Sequence, residues 1–471
     1  MKGKAPLLLA ALLAALHAIL AIVYAGETPY RTAGVLLSYG HFPAPDIGAP
    51  DERQHANYIQ TLLDGKGFPV FKPGGADVAE HYEDHQPPLY YLAAAGFAKL
   101  VGVSDVADPG AYKIRWLNAI FGAGTILGIF FLGLWGLGRA DAALGAAAIA
   151  AALPMNCALS GAISNDPLLF MVCTWALAIC GLGIRQGWNM KLAVLAGVLV
   201  GLGILTKTTA VGLLPILLLA ILLPQKKRPT WGMAGAAAAS LVLLTAPWLV
   251  RNASLYGDPL ALKAFNSAFT QSRQKADSIA QIQAENPEGG NFEMIYWRDW
   301  VGWWTARSFF GTFGYMDIWM NETGSPYQGR TPAPNVAYRV FLAISLLLFL
   351  AWIASFFQGD WKDARAVQVL NATFLAIVVL LFIRFNLQYF QAQGRYLYPA
   401  IGPIALALSI GCFVLLKDRG KIAVAVFAVG LLLFNVFAIA KLPEEFQRRA
   451  TTTSPSGELF HRASQAYDRW A

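Results

Sequence analysis

The chain has 471 residues, of which 56% are apolar and only 14% charged, with a formal charge of +8 at neutral pH. One soluble core cannot hide that much hydrocarbon, so the solvent for most of the surface must be a bilayer. The basic excess does not indicate nucleic-acid binding, because Lys and Arg sit in short turns between apolar runs, where they set topology.

The first apolar run, 7–25 behind Lys2 and Lys4, has the small residues near Ala25 of a cleavable signal peptide, yet it is long enough to cross a membrane. It is read as a retained anchor. Just beyond it comes Pro50-Asp51-Glu52-Arg53-Gln54-His55, followed by apolar residues at Ile59, Leu62 and Leu63 and by Gly65-Lys66-Gly67. The pattern predicts a short amphipathic helix with Pro50 in its first turn and the two glycines as its stop. Carboxylates in a first turn stay ionised beside the helix dipole, able to accept a proton or bind a cation, and His55 lies one turn beyond Asp51 on the same face. Ordinary stabilisation of a surface helix explains the same residues equally well.

A second polar group, Glu80-His81-Tyr82-Glu83-Asp84-His85, precedes Gln86-Pro87-Pro88-Leu89-Tyr90-Tyr91. His81 and His85 have the spacing of two ligands on one helical turn, so a divalent cation is conceivable there. Tyr82 stands where a zinc peptidase carries Glu, and Pro87 limits a continuing helix, so solvated loop residues are the expected reading. The following apolar run, 89–103, is short for a span and is expected to lie at the interface.

The remaining long apolar runs are 114–137, 142–162, 167–185, 192–206, 208–224, 231–250, 336–357, 365–384, 397–416 and 421–440, which with 6–25 make about eleven spans. With the amino terminus inside, the cytoplasmic turns collect Arg139, Arg185 with Lys191, Lys226-Lys227-Arg228, Lys362 with Arg365, and Lys417, Arg419 and Lys421, as the inside-positive rule requires. All four cysteines, Cys157, Cys173, Cys180 and Cys412, lie in or beside these runs without metal-ligand spacing. Two long extracytoplasmic loops follow from this topology, 26–113 and 251–335, and loops of that length usually carry function. The second holds Trp297, Trp300, Trp303, Trp304, Phe309, Phe310, Phe313, Tyr315 and Trp319, which suit either headgroup anchoring or a lid over a lipid or sugar. The chain therefore divides into a transmembrane module 1–250, the aromatic loop 251–335, a second helical group 336–440 and a short extracytoplasmic tail 441–471.

Polar residues gather at the outer helix ends: Asn165 with Asp166, Lys207, Arg251 with Asn252, and Gln393 with Arg395. Arg251 and Arg395 can snorkel to headgroups, but Lys207 interrupts an apolar stretch on the side where the charge rule gives it no role. An acid that deprotonates a hydroxyl, facing cations that hold an anionic leaving group, is what transfer from a sugar phosphate requires. Asp51 is the expected general base, and Lys207, Arg251 and Arg395 the expected phosphate ligands, with His55, His85 and Asp166 lining the same binding site.

These residues resemble the membrane glycosyltransferases that use polyprenyl-phosphate sugars, a GT-C type superfamily that includes protein mannosyltransferases and aminoarabinose transferases of lipid A. The resemblance rests on Asp51-Glu52, on His85-Gln86-Pro87-Pro88-Leu89-Tyr90-Tyr91, and on Gly201-Leu202-Gly203-Ile204-Leu205-Thr206-Lys207. It continues through Pro247-Trp248-Leu249-Val250-Arg251-Asn252, Tyr256-Gly257-Asp258-Pro259 and Gln393-Gly394-Arg395-Tyr396-Leu397-Tyr398-Pro399. The stretch Ala306-Arg307-Ser308-Phe309-Phe310-Gly311-Thr312-Phe313-Gly314-Tyr315 is similar to a bacterial branch of that superfamily. The resemblance implies an all-α polytopic membrane fold with interfacial helices in the first loop and a cavity opening sideways to lipid. It implies a hexosyl- or pentosyltransferase that inverts the sugar carbon, with Asp51 essential and Glu52 the second candidate. The implied partners are a polyprenyl-phosphate-sugar donor and a lipid, glycan or protein acceptor, met outside a bacterial plasma membrane. Metal dependence is left open. The large soluble domain of some relatives has no counterpart after Ala440, which counts against protein acceptors. A transporter or flippase for a lipid-linked intermediate needs a similar anion site and is the alternative, and an assembly role is a third reading.

Overall fold

The computed structural model describes residues 4–39, 42–75, 77–224, 226–268, 274–314, 316, 318–320 and 336–451. Lys2, Tyr315 and most of the expected carboxyl-terminal tail lie outside the described residues. The polytopic helical fold expected from composition is what forms, because in hydrocarbon a helix satisfies its own backbone. Among the described residues, seven stretches are long and apolar enough to cross a membrane, or eight if Ala140–Ala152 and Pro154–Ser160 are one span bent by 67°. The expected eleven include Met190–Thr206 and Thr208–Leu222, which are shorter, and divide Gly394–Phe446 into Ile401–Leu416 and Gly420–Thr451. The first run forms Ala5–Glu27, packed on Arg115–Phe131 and on both halves of the bent pair.

The bend at 153–154 shows how the bundle tolerates broken backbone. Pro154 supplies no N–H, which frees carbonyls in the preceding turn. Buried side chains take them up: Asn156 Nδ2 donates to the Ala150 carbonyl at 3.0 Å, and Asn435 Nδ2 to that of Ala152 at 3.3 Å. His17 Nδ1 lies 3.4 Å from the Ala151 carbonyl. Elsewhere small residues allow close helix contact, as at Gly411, where any Cβ would collide with the Leu348 carbonyl of the Val336–Ser355 helix.

The first long loop is more structured than the sequence suggests. It opens with an antiparallel hairpin, Tyr30–Tyr39 against Phe42–Ile47, that periodicity did not reveal. The Glu52–Leu63 helix follows and ends before Gly65 and Gly67, both at positive φ as the stop signal requires. Run 89–103 forms the short helix Leu89–Leu100, whose Tyr90, Tyr91, Ala94 and Ala98 bury against Ala56, Tyr58 and Ile59. This packing fixes the loop to the bundle and so fixes the residues at its polar edge.

Candidate active site

Asp51 is not inside the helix. It occupies the N-cap position with φ 58° and ψ 3°, and its side chain caps no backbone N–H. A left-handed non-glycine residue costs on the order of 1 kcal/mol, least for Asp or Asn. That conformation leaves the carboxylate on the wall of a cavity of about 440 Å³. Oδ1 accepts a hydrogen bond from the Tyr82 hydroxyl, and Oδ2 accepts one from Arg395 Nη2 at 2.5 Å. Burial alone would raise the Asp51 pKa. The Arg395 guanidinium and the Tyr82 hydroxyl outweigh it and hold the carboxyl at about 2.

Glu52, although adjacent, points the other way. It is fully buried and bound in a fork by Arg115, whose Nε and Nη2 reach its two oxygens at 2.7 Å each, while the Ile163 N–H donates to Oε1 at 2.7 Å. Arg115 also donates to the carbonyls of Ala25, Thr28 and Pro29 at 2.8, 2.5 and 2.9 Å. Fully buried, held by three charge-assisted or backbone hydrogen bonds and absent from the cavity wall, Glu52 is not placed for the catalytic role expected of it as second candidate. It ties the first loop to two helices instead.

Asp166, first residue of the Asp166–Gln186 helix, faces Asp51 across the cavity end. Lys207 leaves the Met190–Thr206 helix in extended backbone and places Nζ 2.6 Å from Asp166 Oδ1, while Arg395 Nη1 lies 3.7 Å from Oδ2. Asp51, Arg395, Asp166 and Lys207 thus form one connected set of two acids and two cations, drawn from positions up to 344 residues apart. Arg395 is aimed by Gln393 Oε1, which accepts from its Nε at 2.6 Å, and by the Tyr396 ring. The turn carrying it is pressed against the Trp303–Gly311 helix. The Gly394 N–H donates to Ser308 Oγ at 2.7 Å, the Tyr398 hydroxyl donates to the Phe309 carbonyl at 2.6 Å, and a Cβ on residue 394 would overlap the Phe309 backbone.

The other expected residues fall in three places. His85 lines the cavity, and its Nδ1–H donates to the Tyr82 carbonyl at 2.5 Å; burial keeps it neutral with a pKa of about 4, so Nε2 is the free acceptor. His55 lies behind the wall, 2.8 Å from the Tyr91 hydroxyl, and burial likewise lowers it, to about 3. Arg251 does not reach the cavity: its guanidinium donates to the Pro69 and Phe68 carbonyls at 2.6 and 3.3 Å and stacks on Trp248. It therefore anchors a loop and is not among the phosphate ligands the sequence suggested.

The 80–85 segment is also not solvated. It is a short helix followed by a tighter turn, with Glu83, Asp84 and His85 buried, and His81 turned outward to pair with Asp84 at 3.3 Å. The two histidines do not converge, and among the described residues no group of three or more His, Cys, Asp or Glu is placed to hold a metal ion. Glu83 lines the cavity at 7% exposure with Oε2 lacking a hydrogen-bond partner. Burial and the nearby Asp51 charge raise its pKa to about 8, which favours the protonated form.

The cavity wall changes character along one helix. Phe374, Ile377, Val378 and Leu381 are followed by Arg384 and Gln388 with Phe382 and Phe385 between, and past the helix end by Gln391 and Gln393 beside Phe390. From 374 to 388 the helix rises ~21 Å, so an apolar trough leads into a polar head. Trp304 and Trp319, from the aromatic loop, also line the cavity.

Residues 85–250 match the family model described as dolichyl-phosphate-mannose-protein mannosyltransferase. No curated protein sequence matches the chain. Among solved structures, the Archaeoglobus fulgidus oligosaccharyltransferase tethered to an acceptor peptide aligns with 98% of this chain and 59% of its own, at 15% identity and TM-score 0.51. The same organism's AglB, with an inhibitory peptide and a dolichol-phosphate, aligns with 97% of this chain at 15% identity and TM-score 0.50. Apo ArnT from Cupriavidus metallidurans aligns with 92% of this chain and 76% of its own, at 14% identity and TM-score 0.50. The chain thus spans about six-tenths of the length of the oligosaccharyltransferases it matches. Its fold is the GT-C fold that it shares with these membrane proteins.

Proposed function

We propose that the chain is an inverting glycosyltransferase that moves a hexosyl or pentosyl unit from a polyprenyl-phosphate carrier to an acceptor hydroxyl, on the extracytoplasmic side of a bacterial plasma membrane. The observation that carries this reading is the set Asp51, Arg395, Asp166 and Lys207 at the polar end of an apolar-walled cavity. An isoprenoid chain fits the trough beside Phe374 and Val378, and its phosphate reaches the cations at the head.

In the resting site Asp51 is a poor base, because Arg395 and Tyr82 stabilise its ionised form. A carrier phosphate competes for Arg395, and each contact it takes returns basicity to Asp51. The acceptor hydroxyl then gives its proton to Asp51 while its oxygen bonds to the sugar carbon opposite the phosphate. The carbon–oxygen bond to phosphate breaks, and the electron pair leaves on the phosphate held by Lys207 and Arg395. Asp166 keeps both cations oriented, and protonated Glu83 offers a hydrogen bond to a sugar or acceptor oxygen.

Mass spectrometry of lipid co-purifying with the intact chain tests the carrier. A polyprenyl phosphate is expected. Reconstituted protein that moves lipid-linked sugar across vesicles without transferring it would overturn the transferase reading in favour of a flippase.

A further inference from the structure

The charges on the cavity wall do not pair off evenly. Asp51 holds Arg395 and Asp166 holds Lys207, so those two cations are neutralised before any ligand arrives. Arg384 lines the same cavity and differs from both. It is exposed, and among the described residues no carboxylate lies within ion-pairing distance of it and no hydrogen bond reaches it. It stands three residues beyond Leu381 and four before Gln388, where the apolar trough meets the polar head.

A cation near a helix end is ordinarily free to snorkel toward headgroups. Two facts set Arg384 apart: it borders the cavity, and it is the charge the interior lacks. Anions entering a neutral, buried cluster must strip a cation from its partner, which is costly unless another positive charge meets them first. The remaining carboxyl on the wall, Glu83, is buried and forms no ion pair with Arg384. A sugar phosphodiester carries one negative charge, which matches the single unpaired cation.

Resting on the carrier reading above, we propose that Arg384 is a capture residue for the carrier phosphate at the exposed edge of the cavity, engaging it before Arg395 releases Asp51. Donor entry is then an exchange of partners along Arg384, Arg395 and Lys207, and at no stage does the phosphate face the neutral cluster alone.

The test uses the full chain in detergent with two probes, undecaprenyl phosphate and undecaprenol, followed by quenching of the cavity tryptophans Trp304 and Trp319. Wild type is expected to bind the phosphate form more tightly. Arg384→Gln should lose about tenfold for the phosphate form and nothing for the alcohol, with Arg384→Lys restoring most of it, as one charge-assisted contact predicts. In turnover the same loss should raise the donor KM and leave kcat nearly unchanged. Full phosphate affinity in Arg384→Gln, or equal loss for both lipids, overturns the assignment while leaving the carrier reading intact. Wild type without preference for the phosphate overturns the carrier reading itself.

Discussion

Two neighbouring acids, Asp51 and Glu52, are expected to fail in opposite ways. Glu52→Gln removes the charge facing Arg115, a guanidinium with no exposure, and leaves it buried against a neutral amide. Breaking one partner of a buried pair costs ~3–5 kcal/mol. The Ala25, Thr28 and Pro29 carbonyls still accept from Arg115 and place the cost at the lower end. Asp51→Asn is milder for the fold. The side chain is 26% exposed to the cavity, Asn retains an oxygen for the Tyr82 hydroxyl, and Arg395 keeps Asp166, so a cost of about 1 kcal/mol is expected. Activity should reverse the order, since losing a general base lowers the rate by about 10²–10⁴-fold. Thermal midpoints by intrinsic fluorescence, together with sugar transfer in the same preparations, check both halves. A Glu52→Gln protein as stable as wild type, or an Asp51→Asn protein that transfers sugar at the native rate, refutes the division of roles.

Tyr82→Phe removes one of the two contacts holding Asp51 ionised, so the acid limb of the pH–rate profile should move to higher pH. Glu83 gains its negative charge as pH rises through about 8, beside Asp51 and Asp166 and facing Lys207 and Arg395, so affinity for an anionic carrier should fall from pH 7 to 9. Glu83→Gln should flatten that decline, measured by lipid binding across the same range. Arg251→Ala should lower the thermal midpoint slightly and leave carrier affinity within about twofold, because its contacts are the Phe68 and Pro69 carbonyls and Trp248.

Much of the bundle is legible in the sequence because apolar length and basic turns are local properties. The site is legible only in part. Asp51, Asp166, Lys207 and Arg395 stand out as polar residues at helix ends, but the pairing of Asp51 with Arg395 spans 344 positions and no local rule encodes it. Arg251 shares that helix-end position and packs elsewhere, since spacing cannot tell a ligand from a loop anchor. Arg115 carries the same signal as Lys207: it opens a long apolar run at the end opposite Arg139, where the inside-positive rule gives it no employment. Glu83 and Asp84 look like surface residues because the segment that buries them packs against the distant Leu262–Ala268 helix, where Ala264 meets Phe71 and Tyr82.

The bond between Gly394 and Ser308 joins what would otherwise be separate parts of the molecule. The turn bearing Arg395 is tied by the Gly394 amide to the Ser308 side chain and packs directly on the Phe309 backbone, in a helix whose Trp304 lines the same cavity. A tilt of that aromatic helix therefore acts on the turn that carries the guanidinium, and so on its grip on Asp51. In the proposed transferase, a ligand that shifts Trp304 would thereby also shift the turn that holds Asp51.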